Sequence, residues 1–217
     1  MCFNISSLVL PSLSPISSLT AWTTNIQGLR SILTDLSIRV ATDKPDIICL
    51  TETFLLKDVS DSRVSLPGYS LLRFDRPEPH PGGRVAPFIK NSIPHTPCTA
   101  LTSPHPQEYL WLQIPLHSHL KFICVLYRPP NSDDSVYTSL AENVDQRLSS
   151  HPKSLFLICG DVNCNHASWV CVGTSLTCHG TSAKDFCDSL GLTQSFKFPT
   201  RISTNSISSG SDFDKFP

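Results

Sequence analysis

A short apolar run that ends in a cluster of polar residues constrains the fold of this chain more than any other stretch. Residues 155–159 are all apolar, Gly160 follows them, and Asp161 and Asn163 come directly afterwards. A continuous apolar run of this length, ended by glycine, predicts a strand buried on both faces. Residues two apart on an extended chain project to the same face, so both polar side chains would enter one pocket at the strand's carboxyl end. Such a pocket could hold a water molecule and orient a phosphate. The alternative is a plain strand followed by a turn rich in Asp and Asn.

Length and charge suit a single α/β domain with a sizeable core. The chain has 217 residues, 40% of them hydrophobic, and a formal net charge of -1. This balance argues against a dedicated high-affinity nucleic-acid binder. An enzyme that grips only a few phosphates needs no more than a local basic patch, so DNA is not excluded as a partner.

The nine cysteines favour a reduced, intracellular protein. Cys49, Cys124 and Cys159 lie inside apolar runs, where a free thiol behaves as a small hydrophobic group. The sequence has no run of about eighteen apolar residues, so it predicts no membrane span. A signal peptide is poorly supported, because no basic residue precedes the apolar stretch near the N-terminus.

The first part of the domain predicts a strand–helix–strand unit, which is typical of α/β proteins. The expected elements are a strand over 19–25, a helix over about 31–42 and a buried strand over 47–50. Asn25 ends the first strand, and Thr51-Glu52-Thr53 ends the second. A carboxylate at the end of a buried strand needs a partner or a metal, because burying a bare charge is costly. Glu52 is therefore a candidate site residue, and an ordinary surface or helix-start acid is the alternative.

The remaining pattern predicts further strands and two more helices. Strands are expected near 69–73, after Gly82-Gly83, over 108–115 and 121–127 as a hairpin, over 155–160 and over 192–198, with helices over about 135–148 and 182–190. Pro87 interrupts the strand after the glycine pair, which suits an edge position. Tyr127 and Arg128 end a strongly apolar strand, and the guanidinium is well shaped for phosphate, although the prolines that follow also fit a plain loop.

Two groups of metal-binding residue types lack the spacing of common metal sites. They are Cys164, Cys171, Cys178 and His179 in one group, and His117 with His119 in the other. Neither contains the paired Cys-x-x-Cys of structural zinc sites, so loop residues are favoured over ligands.

Polar groups thus follow four predicted strands, and their order in the chain resembles a known family. The motifs are Asn25-Ile26-Gln27-Gly28-Leu29-Arg30, Pro45-Asp46-Ile47-Ile48-Cys49-Leu50-Thr51-Glu52-Thr53, Gly82-Gly83-Arg84-Val85-Ala86, Tyr127-Arg128-Pro129-Pro130, Gly160-Asp161-Val162-Asn163 and Pro199-Thr200-Arg201. Together they resemble the endonuclease/exonuclease/phosphatase superfamily, which includes deoxyribonuclease I, and most of all the endonuclease domain of non-LTR (LINE-type) retrotransposons. The resemblance covers about residues 20–201.

The resemblance implies a four-layer α/β sandwich of two packed mixed sheets with helices outside, and cleavage of DNA phosphodiester bonds with Mg²⁺ or Mn²⁺. In family terms Glu52 would bind the metal with Asn25 near it, and Tyr127 would contact the scissile phosphate. Asp161 would orient or deprotonate the attacking water. Asn163, with Arg128, would hold the phosphate, whereas His166 carries only a weak assignment. The chemistry is consistent, because Mg²⁺ prefers carboxylate oxygens, waters and substrate phosphate. The protein would act inside the cell, in the nucleus if it is functional.

The carboxyl end departs from the family pattern. The family continues with a strand bearing a Leu-Asp pair and ends in Ser-Asp-His, and this chain reaches Pro217 without either. Asp212 or Asp214 could stand in for the Leu-Asp aspartate. The expected organisation is a loose leader over 1–18, the domain over 19–201 without its last strands, and a polar tail over 202–217. A truncated or decayed copy is therefore expected, and a non-catalytic remnant or a phosphatase on the same scaffold are the alternatives to an active endonuclease.

Overall fold

The computed structural model describes residues 6–10, 19–74, 83–101, 108–116, 119–130, 132–164, 166 and 178–195. Within these ranges the chain forms three α-helices and nine β-strands. The helices are α1 (Leu29–Asp43), α2 (Ser135–Ser150) and α3 (Cys178–Ser189). The strands are β1 (Ser6–Leu10), β2 (Leu19–Asn25), β3 (Ile47–Thr51), β4 (Tyr69–Leu71), β5 (Val85–Lys90), β6 (Thr96–Pro97), β7 (Glu108–Leu116), β8 (His119–Tyr127) and β9 (Leu155–Asp161).

The strands form two mixed sheets, each of which contains one parallel pair. The five-stranded sheet has the order β1-β2-β3-β5-β4, and β2 runs parallel to β3. The four-stranded sheet has the order β6-β7-β8-β9, and β8 runs parallel to β9. All other neighbouring strands are antiparallel. Because parallel neighbours end at the same edge of a sheet, each parallel pair brings two polar strand ends together.

Three groups of buried side chains define four layers. Helix α1 packs on the outer face of the five-stranded sheet, through residues such as Leu36, Trp22 and Phe88. The inner faces of the two sheets pack on each other, for example through Cys49 and Val125. Helices α2 and α3 cover the outer face of the four-stranded sheet. This arrangement confirms the predicted α/β sandwich, and no helix in the described ranges is long and apolar enough to cross a membrane.

The two-residue period of the strands sends the polar ends into the space between the sheets. Ala21 in β2 belongs to the core between the sheets, so Asn25, four residues later, projects to the same side. In β9, Cys159 packs on that core, and Asp161 follows it by two residues. Tyr127 is itself part of this core. The alternation of each strand therefore aims three predicted site residues at one region.

Residues 6–10 differ from the prediction of a loose leader. They form β1, which pairs antiparallel with β2 from Ser6 opposite Thr23 to Leu10 opposite Leu19. The segment contains no proline, and the outer edge of β2 offers unpaired backbone N–H and C=O groups that a short extended segment satisfies.

Two strands occupy positions that the sequence does not predict. Strand β9 is half-buried along its whole length, because β8 is its only partner among the described strands. Strand β5, with Pro87, lies between β3 and β4 instead of at an edge. The carbonyl of Pro87 accepts a hydrogen bond from the Leu72 N–H over 2.9 Å, so it points away from β3. The nitrogen and the carbonyl of one strand residue point to the same side, so the Pro87 nitrogen also points away from β3, towards the place where β4 has already ended at Leu71. The missing N–H therefore costs no ladder hydrogen bond to β3.

Candidate active site

A hydrogen bond between the two sheets joins the carboxyl ends of β2 and β9. The Nδ2 of Asn25 donates to the Oδ2 of Asp161 over 2.7 Å. The two residues are 136 positions apart in the chain, and both side chains project from the inner faces of their sheets. The structure therefore brings together two of the predicted site residues and orients one carboxylate oxygen.

The position of Asp161 depends on the glycine that precedes it. Gly160 has a φ of +136°, and a Cβ at this residue would lie 1.9 Å from the carbonyl oxygen of Leu126. Only a residue without a side chain allows β9 to approach β8 this closely while it adopts this backbone conformation. The apolar run therefore ends in glycine because the strand must pass tightly against its neighbour just before the site.

A tight network of backbone and amide groups holds the turn after β9. The backbone N–H of Asn163 donates to the second oxygen of Asp161 over 3.2 Å. The Nδ2 of Asn163 donates to the carbonyl of Arg128 over 2.8 Å, and the N–H of Arg128 donates to the carbonyl of Asp161 over 2.9 Å. Asn163 has a φ of 46°, a left-handed conformation that asparagine tolerates better than most residues. Both oxygens of Asp161 are thus fixed from two sides.

Arg128 is buried beneath the loop that follows β8 and is only 1% exposed. Its Nη2 donates to the Ser132 carbonyl and lies 3.1 Å from the Oδ1 of Asp134. Its Nε and Nη1 have no hydrogen-bond partner in the described part of the chain. This guanidinium anchors the loop between β8 and α2, and a contact with phosphate stays a prediction.

Tyr127 and Glu52 complete the set of strand ends. Tyr127 is the last residue of β8 and lies directly opposite Asp161 in the parallel pair. Glu52 follows β3 by one residue, has a φ of 52° and is half-buried. Its carbonyl accepts from the Gly28 N–H over 2.8 Å, which ties the turn after β3 to the turn after β2. Left-handed backbone at a residue other than glycine is a strain that concentrates at functional sites.

The oxygens at these strand ends suit a hard divalent cation. The Oδ1 of Asn25 is buried and has no hydrogen-bond partner among the described residues, and the carboxylates of Asp161 and Glu52 come from the same edge of the two sheets. Mg²⁺ binds through one or two carboxylates and completes its shell with waters and substrate. The described residues contain no cluster of three or more His, Cys, Asp and Glu, a pattern that a Mg²⁺ site of this type does not require.

Other predicted site residues stay as predictions. His166 is half-buried, and its weak assignment to the site stays a prediction. Asp212, Asp214, Cys171 and the Pro199-Thr200-Arg201 motif lie outside the described residues.

The thiol of Cys164 packs against helix α2. It accepts a hydrogen bond from the hydroxyl of Tyr137 over 3.7 Å, and burial raises the pKa of both the thiol and the phenol. A thiol with a raised pKa is a weak nucleophile and a weak metal ligand, so Cys164 serves packing.

One buried acid near the site is not among the residues that the sequence predicts. Glu108, the first residue of β7, is 0% exposed, and its Oε2 accepts from the backbone N–H of Arg84. It lies directly opposite Tyr127 in the β7–β8 pair. The sequence signal for Glu108 is an acidic residue at the first position of an apolar strand, on the face that packs between the sheets.

The family model described as the Endonuclease/Exonuclease/phosphatase family matches residues 1–177 of the chain. A comparison with curated proteins finds no match.

Several solved structures share the fold. The endonuclease domain of TRAS1, a telomere-specific non-LTR retrotransposon, is 15% identical, with a TM-score of 0.59 over 79% of this chain and 70% of that one. The AP endonuclease LMAP from Leishmania major is 16% identical, with a TM-score of 0.65 over 85% of this chain and 72% of that one. The 3′ phosphatase NExo from Neisseria, bound to a product DNA hairpin, is 14% identical, with a TM-score of 0.52 over 77% and 70%. At these identities the likeness establishes the fold alone.

Proposed function

The chain belongs to the endonuclease/exonuclease/phosphatase family, as its motifs predict, and from this premise we propose that it is a Mg²⁺-dependent endonuclease that nicks DNA. The family match supports hydrolysis of a phosphodiester bond in general. The observation that carries the proposal is the hydrogen bond between Asn25 and Asp161, which makes one site of two strand ends on different sheets. In this proposal the reaction is of the retrotransposon type and takes place in the nucleus.

The fixed carboxylate is the group that activates water. Asp161 takes a proton from a water molecule, which attacks the phosphorus while the bond to the 3′ oxygen breaks. Asn25 and the N–H of Asn163 hold the two carboxylate oxygens, so Asp161 does not have to reorganise during the reaction. Tyr127, beside Asp161, contacts the phosphate. The leaving 3′ oxygen takes up a proton from solvent, so the products are a 3′ hydroxyl and a 5′ phosphate.

Glu52 and the Oδ1 of Asn25, which has no hydrogen-bond partner among the described residues, would hold the cation. A bound Mg²⁺ would neutralise charge that develops on the phosphoryl oxygens and on the leaving oxygen. The turn of Glu52 is fixed by its hydrogen bond to the turn of Gly28, so the protein would offer these oxygens from rigid backbone.

The proposal is tested on supercoiled plasmid with Mg²⁺, with EDTA as the metal-free control. A nick that a DNA polymerase can extend directly demonstrates the 3′ hydroxyl that primed synthesis requires. Removal of a terminal 3′ phosphate from an oligonucleotide, without any nicking of plasmid, would instead identify a phosphatase on the same scaffold. Cleavage in EDTA would contradict the metal-dependent mechanism.

A further inference from the structure

A buried carboxylate forms a second hydrogen-bonded link between the sheets. Glu108 starts β7 in the four-stranded sheet and is fully buried, and its Oε2 accepts from the backbone N–H of Arg84. Arg84 directly precedes β5 of the five-stranded sheet. A buried carboxylate is retained only where hydrogen bonds offset its desolvation, so this contact has a structural or functional reason.

The carboxylate rests directly on the glycine backbone before Arg84. A Cβ at Gly83 would lie 2.5 Å and 2.6 Å from the two oxygens of Glu108. Gly83 and Arg84 have φ angles of +73° and 76°, so two successive residues are held in the left-handed region. Any side chain at residue 83 would displace the carboxylate. The second glycine of the Gly82-Gly83 pair therefore provides the space in which Glu108 is seated.

The segment that Glu108 holds is bonded to the segment that carries Glu52. The N–H of Thr53 donates to the Arg84 carbonyl over 3.4 Å, and the N–H of Phe54 donates to the Gly83 carbonyl over 3.5 Å. These two hydrogen bonds connect residues 53 and 54 to residues 83 and 84, so a shift of the Gly83–Arg84 backbone would be passed to the residue next to Glu52. On its own sheet Glu108 is opposite Tyr127, which is opposite Asp161.

We propose that Glu108 is a positioning residue of the site. Through the Gly83–Arg84 backbone it sets the distance between the Glu52 turn of one sheet and Tyr127 and Asp161 of the other. The hydrogen bond from Asn25 to Asp161 links the sheets at the ends of β2 and β9. The hydrogen bond from the Arg84 N–H to Glu108 links them at the starts of β5 and β7. The role in metal binding rests on the proposed function, whereas the role in holding the Glu52 turn does not.

Two substitutions separate the position of the carboxylate from its charge. Glu108→Gln keeps an oxygen that can accept from the Arg84 N–H, and Glu108→Asp keeps the charge but withdraws it by one methylene. Ile114→Ala is the matched control, because Ile114 is a buried residue on the same strand and the same face, away from residues 83 and 84. Its cavity lowers stability without touching the Glu52 turn.

Hydrogen–deuterium exchange and Mn²⁺ titration give the two readouts. In Glu108→Asp, exchange of residues 51–56 rises by about tenfold, because the Arg84 N–H loses its buried acceptor. Mn²⁺ binding weakens by about tenfold, as when a supporting contact of a metal ligand is lost. Glu108→Gln stays within about threefold of the wild type in both readouts, since a neutral oxygen still accepts the hydrogen bond. Ile114→Ala changes neither.

The outcomes distinguish this inference from the proposed function. If Glu108→Asp resembles the wild type and Glu108→Gln does not, the charge acts and the positioning role is overturned. Equal exchange of residues 51–56 in Glu108→Asp and Ile114→Ala overturns it as well. A wild type that binds no Mn²⁺, with faster exchange of residues 51–56 in Glu108→Asp, refutes the metal site and supports the positioning of the Glu52 turn.

Discussion

At the scale of single residues, one amide makes a site out of two strand ends. Asn25 uses its nitrogen on Asp161 and keeps its buried oxygen without a partner among the described residues. An amide is the side chain that can do both, because it carries a donor and an acceptor on one planar group. Aspartate at this position would place two carboxylates in contact, and alanine would leave one oxygen of Asp161 without its donor.

Asn25→Ala is expected to slow DNA cleavage by about tenfold to a hundredfold, because the catalytic carboxylate loses one of two orienting contacts. The loss of stability should be only about 1 kcal/mol for one hydrogen bond. Single-turnover cleavage and urea unfolding measure the two effects. Asn143→Ala is the matched control. Asn143 lies on helix α2, outside the site, and its Nδ2 donates a hydrogen bond to the Tyr109 hydroxyl over 3.0 Å. Equal loss of activity in both variants would rule out an orienting role for Asn25.

Gly160→Ala is expected to destabilise the fold by more than about 3 kcal/mol, because the added Cβ would collide with the Leu126 carbonyl. Gly191→Ala separates this collision from backbone strain. Gly191 also has a positive φ, of +64°, but a Cβ at this residue would meet nothing within 4 Å, so its cost should be about 1 kcal/mol. Urea unfolding of both variants checks the difference. Similar losses would mean that strand β9 does not depend on the close approach to β8.

At the scale of elements, Lys121 shows how strand β8 accommodates a charge in its first half. The residue is 3% exposed, and burial lowers the pKa of its ammonium group. Between the lowered folded pKa and the ordinary unfolded pKa of lysine, the unfolded chain binds more protons. The stability of the protein therefore rises with pH across that window, up to about pH 10.

Lys121→Met is expected to raise the free energy of unfolding at pH 7, because it removes a buried charge and keeps an apolar stem of similar length. The advantage over the wild type should shrink as the pH approaches about 10, where the unfolded lysine also loses its charge. Urea unfolding at both pH values tests this, with Lys153→Met as the control, since Lys153 is exposed. If Lys121→Met raises the free energy of unfolding by the same amount at both pH values, the gain does not come from removal of a buried ammonium group.

Helical periodicity predicts α2 well and α1 only in part. The helical spacing of Val136, Leu140, Val144 and Leu148 in the sequence predicts the inner face of α2. The first three residues are buried and Leu148 is partly buried against the same core. On α1 the buried residues are Leu29, Ile32, Leu36 and Val40, whereas Ile38, which the apolar pattern of the sequence places on the stripe, is 63% exposed. Ile38 is two residues from Leu36 and from Val40, and such neighbours do not share a face of a helix.

At the scale of the whole molecule, the sequence predicts which residues end the strands but not which strand ends meet. The apolar runs place Asn25, Tyr127 and Asp161 at the ends of strands from local information alone. The bond between Asn25 and Asp161 spans 136 positions and depends on how the two sheets pack. The contact of Glu108 is not predicted for the same reason, because its partner Arg84 directly precedes a strand of the other sheet.

We propose that these strand ends form one metal-dependent site for phosphodiester cleavage. The most direct measurement is the rate of plasmid nicking with Mg²⁺ by the wild type, by Asp161→Ala and by Asp188→Ala. Asp188 is a matched control, since it is an exposed aspartate on α3 paired with Lys184. We expect nicking by the wild type and by Asp188→Ala, and a loss of at least about a hundredfold in Asp161→Ala. Nicking that is unchanged in Asp161→Ala, or absent from a wild type with the circular dichroism of a folded protein, would contradict it.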